Sequence, residues 1–381
     1  MSVWRLISDD GAGPADGLAT DEALMLHYGR DAVAPSEAVI RLYTYRPHSA
    51  LVGRYQVLDA EVDRAACERL GLGVGRRPTG GGAIIMGPGQ LGVAVTTRAP
   101  ADVSPRELLR QYAAGIVAGL ARLGVSASFR GKNDLEVDGR KIGGLGLYVD
   151  GRGALLFHAS ILADLDVELM LEVLRIPGAK LADKGVSRVH ERITTVSMQT
   201  GHSVGGTALR AAVADGFAEQ LGIHYDESEP DGAERERAAE LERERYGAAA
   251  WIAGRAPAGD SHGTAVVKTG LGLIRAYAGV QDSSLSSVML AGDFSVMPEA
   301  LTRIEAALRW CHADPGRIQA IISRELADSD AEIEPEVLAG AVWSAAERAL
   351  ERSAGATPVR ASGSCYFPPV TPATDTSEVL Q

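Results

Sequence analysis

The chain has 381 residues, of which 46% are hydrophobic and 23% charged, with a formal net charge of −12 and a mean hydropathy near zero. This is the balance of a globular chain with enough apolar mass for more than one core. It excludes broad binding to a nucleic-acid backbone, which needs clustered cations. It also excludes a membrane span, because the most apolar run, Ala83–Val95, is broken by Gly87, Pro88, Gly89 and Gln90. Asp9, Asp10 and Asp16 without an apolar stretch give no secretory signal. Cys67, Cys311 and Cys365 stand far apart with no CxxC, so neither a disulfide scaffold nor a zinc ribbon is expected, and a cytoplasmic location follows.

In chain order, Val3–Ile7 reads as a strand, 20–28 as a helix, and Ala38–Tyr45 and Ser49–Val52 as strands. Glu61–Leu70 reads as a helix stopped by Gly71. The clearest helix is Pro105–Leu123. Ser104 is its N-cap, Glu107 closes a capping box, Leu109, Tyr112, Ile116, Leu120 and Leu123 form its apolar stripe, and Gly124 ends it. Short strands at Ser126–Phe129, Asp134–Val137 and Ala154–His158 precede a helix over Val167–Leu174. Residues 226–246 are charge-rich, and the spacing of Glu234 with Arg237, Glu240 with Arg243 and Glu242 with Arg245 predicts a solvated helix bridging two parts of the chain. Beyond Gly259, strands at Gly263–Lys268, Gly270–Val280 and Ser286–Ala291 precede helices near 298–310 and 335–352. The fold class is mixed α/β of the α+β type, with largely antiparallel sheets flanked by helices. The expected division is a catalytic domain over 1–245, a linker over 246–262, a small accessory domain over 263–355 and a loose tail over 356–381.

Two segments carry the chemistry. In Arg76-Arg77-Pro78-Thr79-Gly80-Gly81-Gly82-Ala83, two guanidinium groups precede three glycines, a pattern that turns backbone N–H groups toward an anion. It is neither a Walker A loop nor a GxGxxG turn opening a helix, since Ala83-Ile84-Ile85 reads as strand. In Gly131-Lys132-Asn133-Asp134-Leu135-Glu136-Val137-Asp138-Gly139-Arg140-Lys141-Ile142-Gly143-Gly144, Asp138-Gly139 predicts a hairpin turn that sets Asn133 and Asp134 beside Lys141. A carboxylate and an amide facing an ammonium suit a Mg²⁺–phosphate site, and a solvated surface hairpin has the same pattern. Only five of the 38 basic residues are lysines, and Lys132, Lys141, Lys180 and Lys184 cluster within 132–184.

The run RRPTGGGAI, then GKNDLEVDGRKIGG, then His158, then KLADKGVSRVHERITTV resembles the lipoate-protein ligase family of the biotin/lipoate ligase superfamily. Trp4–Met25, Ala50–Gln56, Ala250–Pro257 and Gly292–Phe294 are similar to its long form with a C-terminal accessory domain. The resemblance implies an ATP-dependent enzyme that activates lipoate or octanoate to the acyl-AMP. It then passes the acyl group to a lysine of a lipoyl domain of a 2-oxoacid dehydrogenase E2 subunit or of the glycine-cleavage H protein. ATP and Mg²⁺ are co-substrates, and no tightly bound cofactor is implied. By position, Arg77, Gly80, Gly81, Gly82, Ala83, Ile84, Ile85, Asn133 and Lys141 would hold ATP and the adenylate. Arg76, Gly82, Lys141, Gly143 and His158 would hold the acyl substrate, and Asp134 the metal. Lys141 and Asp134 would be catalytic, with Lys141 clamping the two reacting anions. Lys180 and Lys184 would approach the phosphates, and Ile84, Ile85, Leu145 and Leu147 would line the acyl tunnel.

Two departures stand out. The family usually continues its glycine run with a His-Asp pair, but here Met86-Gly87-Pro88-Gly89-Gln90-Leu91 follows, which is similar to the related octanoyltransferases. Those enzymes work through a cysteine thioester, and no cysteine stands near the expected site residues. The alternatives are therefore an octanoyltransferase drawing on octanoyl-acyl carrier protein, or a non-catalytic ligase-like protein that binds a lipoylated partner. Lipoate, octanoate and another acyl group all stay open.

Overall fold

The structure, a computed structural model, describes residues 3–29, 37–176, 185–258, 262–295 and 297–355. Lys180, Lys184, Cys365 and the expected tail lie outside the described residues. The scaffold is an eight-stranded sheet built from β1 (Val3–Ala12), β2 (Ala38–Tyr45), β6 (Gln90–Arg98), β7 (Ser128–Arg130), β8 (Asp134–Val137), β9 (Arg140–Val149), β10 (Ala154–Leu162) and β11 (His224–Ser228), in the order β11-β1-β2-β6-β10-β9-β8-β7. Only β11–β1 and β1–β2 are parallel; the other pairings are antiparallel. A small sheet of β3 (Ser49–Val52), β4 (Gly73–Arg76) and β5 (Ile84–Met86) carries the glycine-rich loop between its last two strands. The architecture is mixed α/β with a largely antiparallel main sheet, as the residue pattern predicts.

One face of the main sheet is covered by the helices Pro105–Arg122 and Gly206–Leu221. The first has the capping box and proline start expected of it. The two helices meet through glycines: a Cβ on Gly216 would lie 2.3 Å from the carbonyl oxygen of Gly115 and 2.3 Å from the nitrogen of Gly119. The second helix carries no sequence signal strong enough to announce it, since small residues replace a leucine stripe. The opposite face is covered by α1 (Pro14–Leu26) and by the helix Gly232–Leu241. The start of α1, six residues before the predicted one, is set by Pro14 at its first turn.

The charge-rich bridge corrects its prediction. Its first part is the edge strand β11, and its helix packs on α1 with Ala238 and Leu241 buried. Glu234 is 1% exposed and paired with Arg5 at 2.6 Å, not with Arg237; of the three expected pairings, Arg237 bonds Glu240 instead. The remaining part of the chain forms the antiparallel sheet β12 (His262–Thr269), β13 (Gly272–Gln281) and β14 (Ser284–Gly292). Helices Glu299–Leu308, Pro315–Leu326 and Pro335–Gly355 follow, and these elements share a core of their own. No helix among the described residues is long and apolar enough to cross a membrane.

The crossing of the 105–122 and 206–221 helices leaves no room for a methyl group. Gly216→Ala is expected to destabilise the protein by about 1–3 kcal/mol, read as a lower urea midpoint with an unchanged slope.

Candidate active site

A pocket of about 560 Å³, its open mouth included, lies over β9 and β10 beneath the glycine-rich loop. Leu18, Leu51, Ile84 and Met86 make it apolar, and Arg77, Asn133, Lys141 and His158 supply polar groups. The floor is set by strand alternation. His158 pairs with Gly146 and Ser160 with Gly144, so all four lie on one face, and the two glycines leave space above the sheet.

Lys141 reaches this face through a β-bulge. Leu135 pairs with Gly143 but Glu136 with Lys141, so Ile142 is an extra residue on β9. Ile142 points into the helix-covered core, as do Leu145 and Leu147, while Lys141 turns to the pocket side. Its Nζ lies 2.6 Å from Oδ1 of Asp134. The Asp138-Gly139 turn closes the hairpin with both residues at positive φ, 49° and 73°, the conformation of a two-residue type I′ turn. Asn133 is fixed from both sides: its backbone oxygen accepts from Leu145 N–H at 2.8 Å and its side-chain amide donates to Leu145 O at 3.1 Å.

The two arginines before the glycines part ways, as neighbours on an extended segment must. Arg77 is buried and lines the pocket, donating to the backbone oxygens of Leu51, Gly80 and Gly82 at 2.8–3.1 Å. Burial pushes its guanidinium down to about 10, so it stays charged at neutral pH, and among the described residues no carboxylate pairs with it. Arg76 lies outside the pocket. It donates to six backbone oxygens, those of Gly53, Arg54 and Gln56 and those of Trp251, Ile252 and Ala253. It thus fastens the segment before β12 to the small sheet. Gly81 has φ +92°, and its N–H donates to the carbonyl of Phe294. A Cβ at Gly80 would meet that same oxygen at 2.1 Å, so the loop is pressed against the turn after β14.

The buried end of the site rests on ions. His158, 7% exposed, has Nε2 2.9 Å from Oδ2 of Asp21, which is 0% exposed. Arg41 donates to Oδ1 of Asp21 at 2.8 Å and to Asp9 at 2.5 Å, and its guanidinium lies 4.4 Å from the centre of the Tyr43 ring. Burial alone would push Asp21 up, but Arg41 and His158 together outweigh it, and the carboxyl lies below the ordinary range. Burial and the Asp21 charge push the Tyr43 hydroxyl well up, keeping it neutral.

Of the residues expected here, the structure gathers Arg77, Gly80, Gly81, Gly82, Ile84, Asn133, Lys141 and His158 around one pocket, with Asp134 held at Lys141. It does not gather Arg76, Ala83, Ile85 or Gly143 there. Ala83 lines a neighbouring cavity with Glu61 and Asp293, Ile85 is packed with Val52 and Leu58, and Gly143 faces the core side. Tyr43, Thr79, Asp21, Arg41 and Ser160 were not foreseen; the adjacent acids Asp21-Glu22 inside an apolar helix were the available signal. No group of three or more His, Cys, Asp or Glu converges among the described residues. Asp134 is one carboxylate already neutralised by an ammonium, which does not fit a metal held by the protein. Neither Cys67 nor Cys311 lines the pocket; both are buried, and burial pushes both thiols up.

A sequence profile described as the lipoyl protein ligase A/B catalytic domain matches residues 13–218. The octanoyltransferase LipM of Symbiobacterium thermophilum is 31% identical over 274 residues, 65% of this chain and 97% of that protein. The bipartite lipoate protein ligase of an archaeal lipoylation system from Thermoplasma acidophilum is 28% identical with a TM-score of 0.61, over 68% of this chain and all of that one. P. falciparum LipL1 shares the fold over 90% of this chain and 98% of its own, with a TM-score of 0.65 at 15% identity.

Because the folded Asp21 titrates below its unfolded value, its contribution to stability is complete above the ordinary aspartate range and is lost as pH falls from about 4. Urea midpoints measured across that range are expected to fall for the wild type, with a shallower slope in Asp21→Asn.

Proposed function

The chain belongs to the lipoyl protein ligase A/B catalytic-domain family, and from that premise we propose that it transfers an octanoyl group from a carrier-bound thioester to a lysine of a lipoyl domain. The observation that carries this reading is one pocket with an apolar body and a fixed cation at its polar side, Lys141 against Asp134. An acyl chain fills the apolar part and leaves its carbonyl beside the ammonium. The octanoyltransferase relative, aligned over nearly its whole length, supports the choice of acyl group, and the archaeal lipoate protein ligase, described with its E2 lipoyl domain, supports the acceptor.

Attack of an amine on an acyl carbonyl puts negative charge on the oxygen, and a positioned ammonium stabilises that charge where it develops. Asp134 restrains Lys141, whose unbranched stem would otherwise sample many rotamers. Asn133, clamped to Leu145, holds the hairpin in register with the floor. Neither Cys67 nor Cys311 lines the pocket, and in this reading the acceptor amine attacks the donor carbonyl.

The same observations favour a second reading, the ATP-dependent ligase. Arg77 is a buried cation on the pocket wall whose partners among the described residues are carbonyls, as an acyl-phosphate anion requires, and the Thermoplasma relative is a lipoate protein ligase.

Intact mass of an apo lipoyl domain separates the two readings. An octanoyl adduct formed with octanoyl-acyl carrier protein and no ATP supports transfer. An adduct formed only with MgATP and free octanoate or lipoate replaces it with ligation, and no adduct from either donor refutes both. In whichever tube is active, Lys141→Ala is expected to lower the rate by about 10²–10³-fold while circular dichroism shows an unchanged fold.

A further inference from the structure

The pocket holds a second polar assembly that neither donor chemistry explains, the buried pair of His158 and Asp21. We infer that His158 accepts the proton of the attacking lysine amine and that Asp21 is its positioning residue; this rests on the acyl-transfer reading above. Three observations carry it. Asp21 is fully buried, with one oxygen held by Arg41 at 2.8 Å and the other 2.9 Å from His158 Nε2. An ionised carboxylate can only accept hydrogen bonds, so the proton of the neutral imidazole sits on Nε2, and Nδ1 keeps its lone pair. Nδ1 has no protein partner among the described residues, and the ring lines the pocket.

His158 also has the right address. It stands two residues from Ser160 on β10, on the floor that Lys141 reaches through the bulge, so cation and base border one cavity. The charged and titratable groups that surround the Asp21–His158 pair, directly or through Arg41, Tyr43 and Tyr45 of β2, are Asp16 of α1, Asp9 of β1, Arg77, and Lys141 of β9 on the same pocket. From β6, Ala94 lies opposite it and brings no charge.

The acceptor amine forms a C–N bond to the acyl carbon, and the carbonyl electron pair moves to oxygen beside Lys141. The nitrogen gives up one proton to Nδ1. The oxygen lone pair then re-forms C=O, and the bond from acyl carbon to sulfur breaks. The imidazolium returns its proton to the departing thiolate, giving a neutral amide, a free carrier thiol and neutral His158. With an acyl-adenylate donor the C–O bond breaks instead, AMP leaves as its anion, and the proton passes to solvent.

The test uses the full chain with the donor that proves active. Single-turnover transfer to an apo lipoyl domain is followed from pH 5 to 9 in wild type, His158→Gln and Asp21→Asn. His158→Gln is expected to lose about 10²-fold or more. Asp21→Asn is expected to lose rate and to move the acid limb of the profile to lower pH, because the imidazolium loses its counter-charge. A purely structural role would scale the rate equally at every pH. Transfer by His158→Gln within about threefold of wild type, far short of a base's usual contribution, overturns the inference, as does an acid limb unmoved in Asp21→Asn. Nitrogen NMR of wild-type His158 adds a readout that needs neither variant: the Nε2–H tautomer supports the pair, and the Nδ1–H tautomer overturns it. Wild-type protein that acylates nothing from either donor brings down the functional reading, and the tautomer then decides the pairing alone.

Discussion

Asp21 is a carboxylate with no access to water, and the organisation of the pocket follows from how its charge is met. Desolvating a carboxylate and a guanidinium costs several kcal/mol per ion, so such a pair persists only with good geometry and further hydrogen bonds. Here Arg41 supplies two N–H groups, to Asp21 and Gly17, and its other arm reaches Asp9 on β1. The arrangement ties α1 to β1 and β2 and leaves one carboxylate oxygen to orient His158. Losing one partner of a buried pair typically costs about 3–5 kcal/mol, a large share of the roughly 5–15 kcal/mol that holds a protein folded.

The next residue of α1 works toward the other side. Glu22 accepts from the Tyr246 hydroxyl and from Arg245, each at 2.5 Å. Arg245 lies 4.1 Å over the Trp251 ring, and Trp251 exchanges hydrogen bonds with Arg76. One short helix therefore anchors both the pocket and the segment that leads to the C-terminal sheet. That sheet closes on the glycine loop through Phe294, and the buried ion pair Arg275–Glu61 at 2.7 Å binds it to the helix 58–61. Arg76 stands at the centre of this seam, and its place there explains why an arginine next to a pocket arginine does not itself touch the pocket.

Elements with local signals were legible in the sequence: the capped 105–122 helix, the Asp138-Gly139 hairpin and the strands β2 and β3 all lie where their residues predict. Elements defined by partners were not. The strand β11 is polar and mostly exposed, and only its parallel pairing with β1 makes it a strand. The helix 206–221 is made of small residues whose purpose is visible only once Gly115 and Gly119 face Gly216. Within the site, the glycine run, Arg77, Asn133 and Lys141 were legible because their spacing is itself the signal. Asp21 and Arg41 were not, since their meeting joins residues 20 apart on different elements. The opposite outcomes of Arg76 and Arg77 rest on strand alternation, which sequence shows, and on which side is the pocket, which it does not.

The extra residue at Ile142 gives the β8–β9 hairpin a definite parity. Strands count in twos, and on β9 the odd positions 143, 145 and 147 belong to the core side while 144 and 146 belong to the pocket. Lys141 is an odd position on the even side, permitted only by that miscount. Surface hairpins ordinarily tolerate gain or loss of a residue. Here the extra residue is what counts: drawing Ile142 into ordinary alternation with no residue lost would turn the ammonium out of phase, into the company of Leu135 and Leu145, whereas losing Ile142 itself would leave Lys141 on the pocket side.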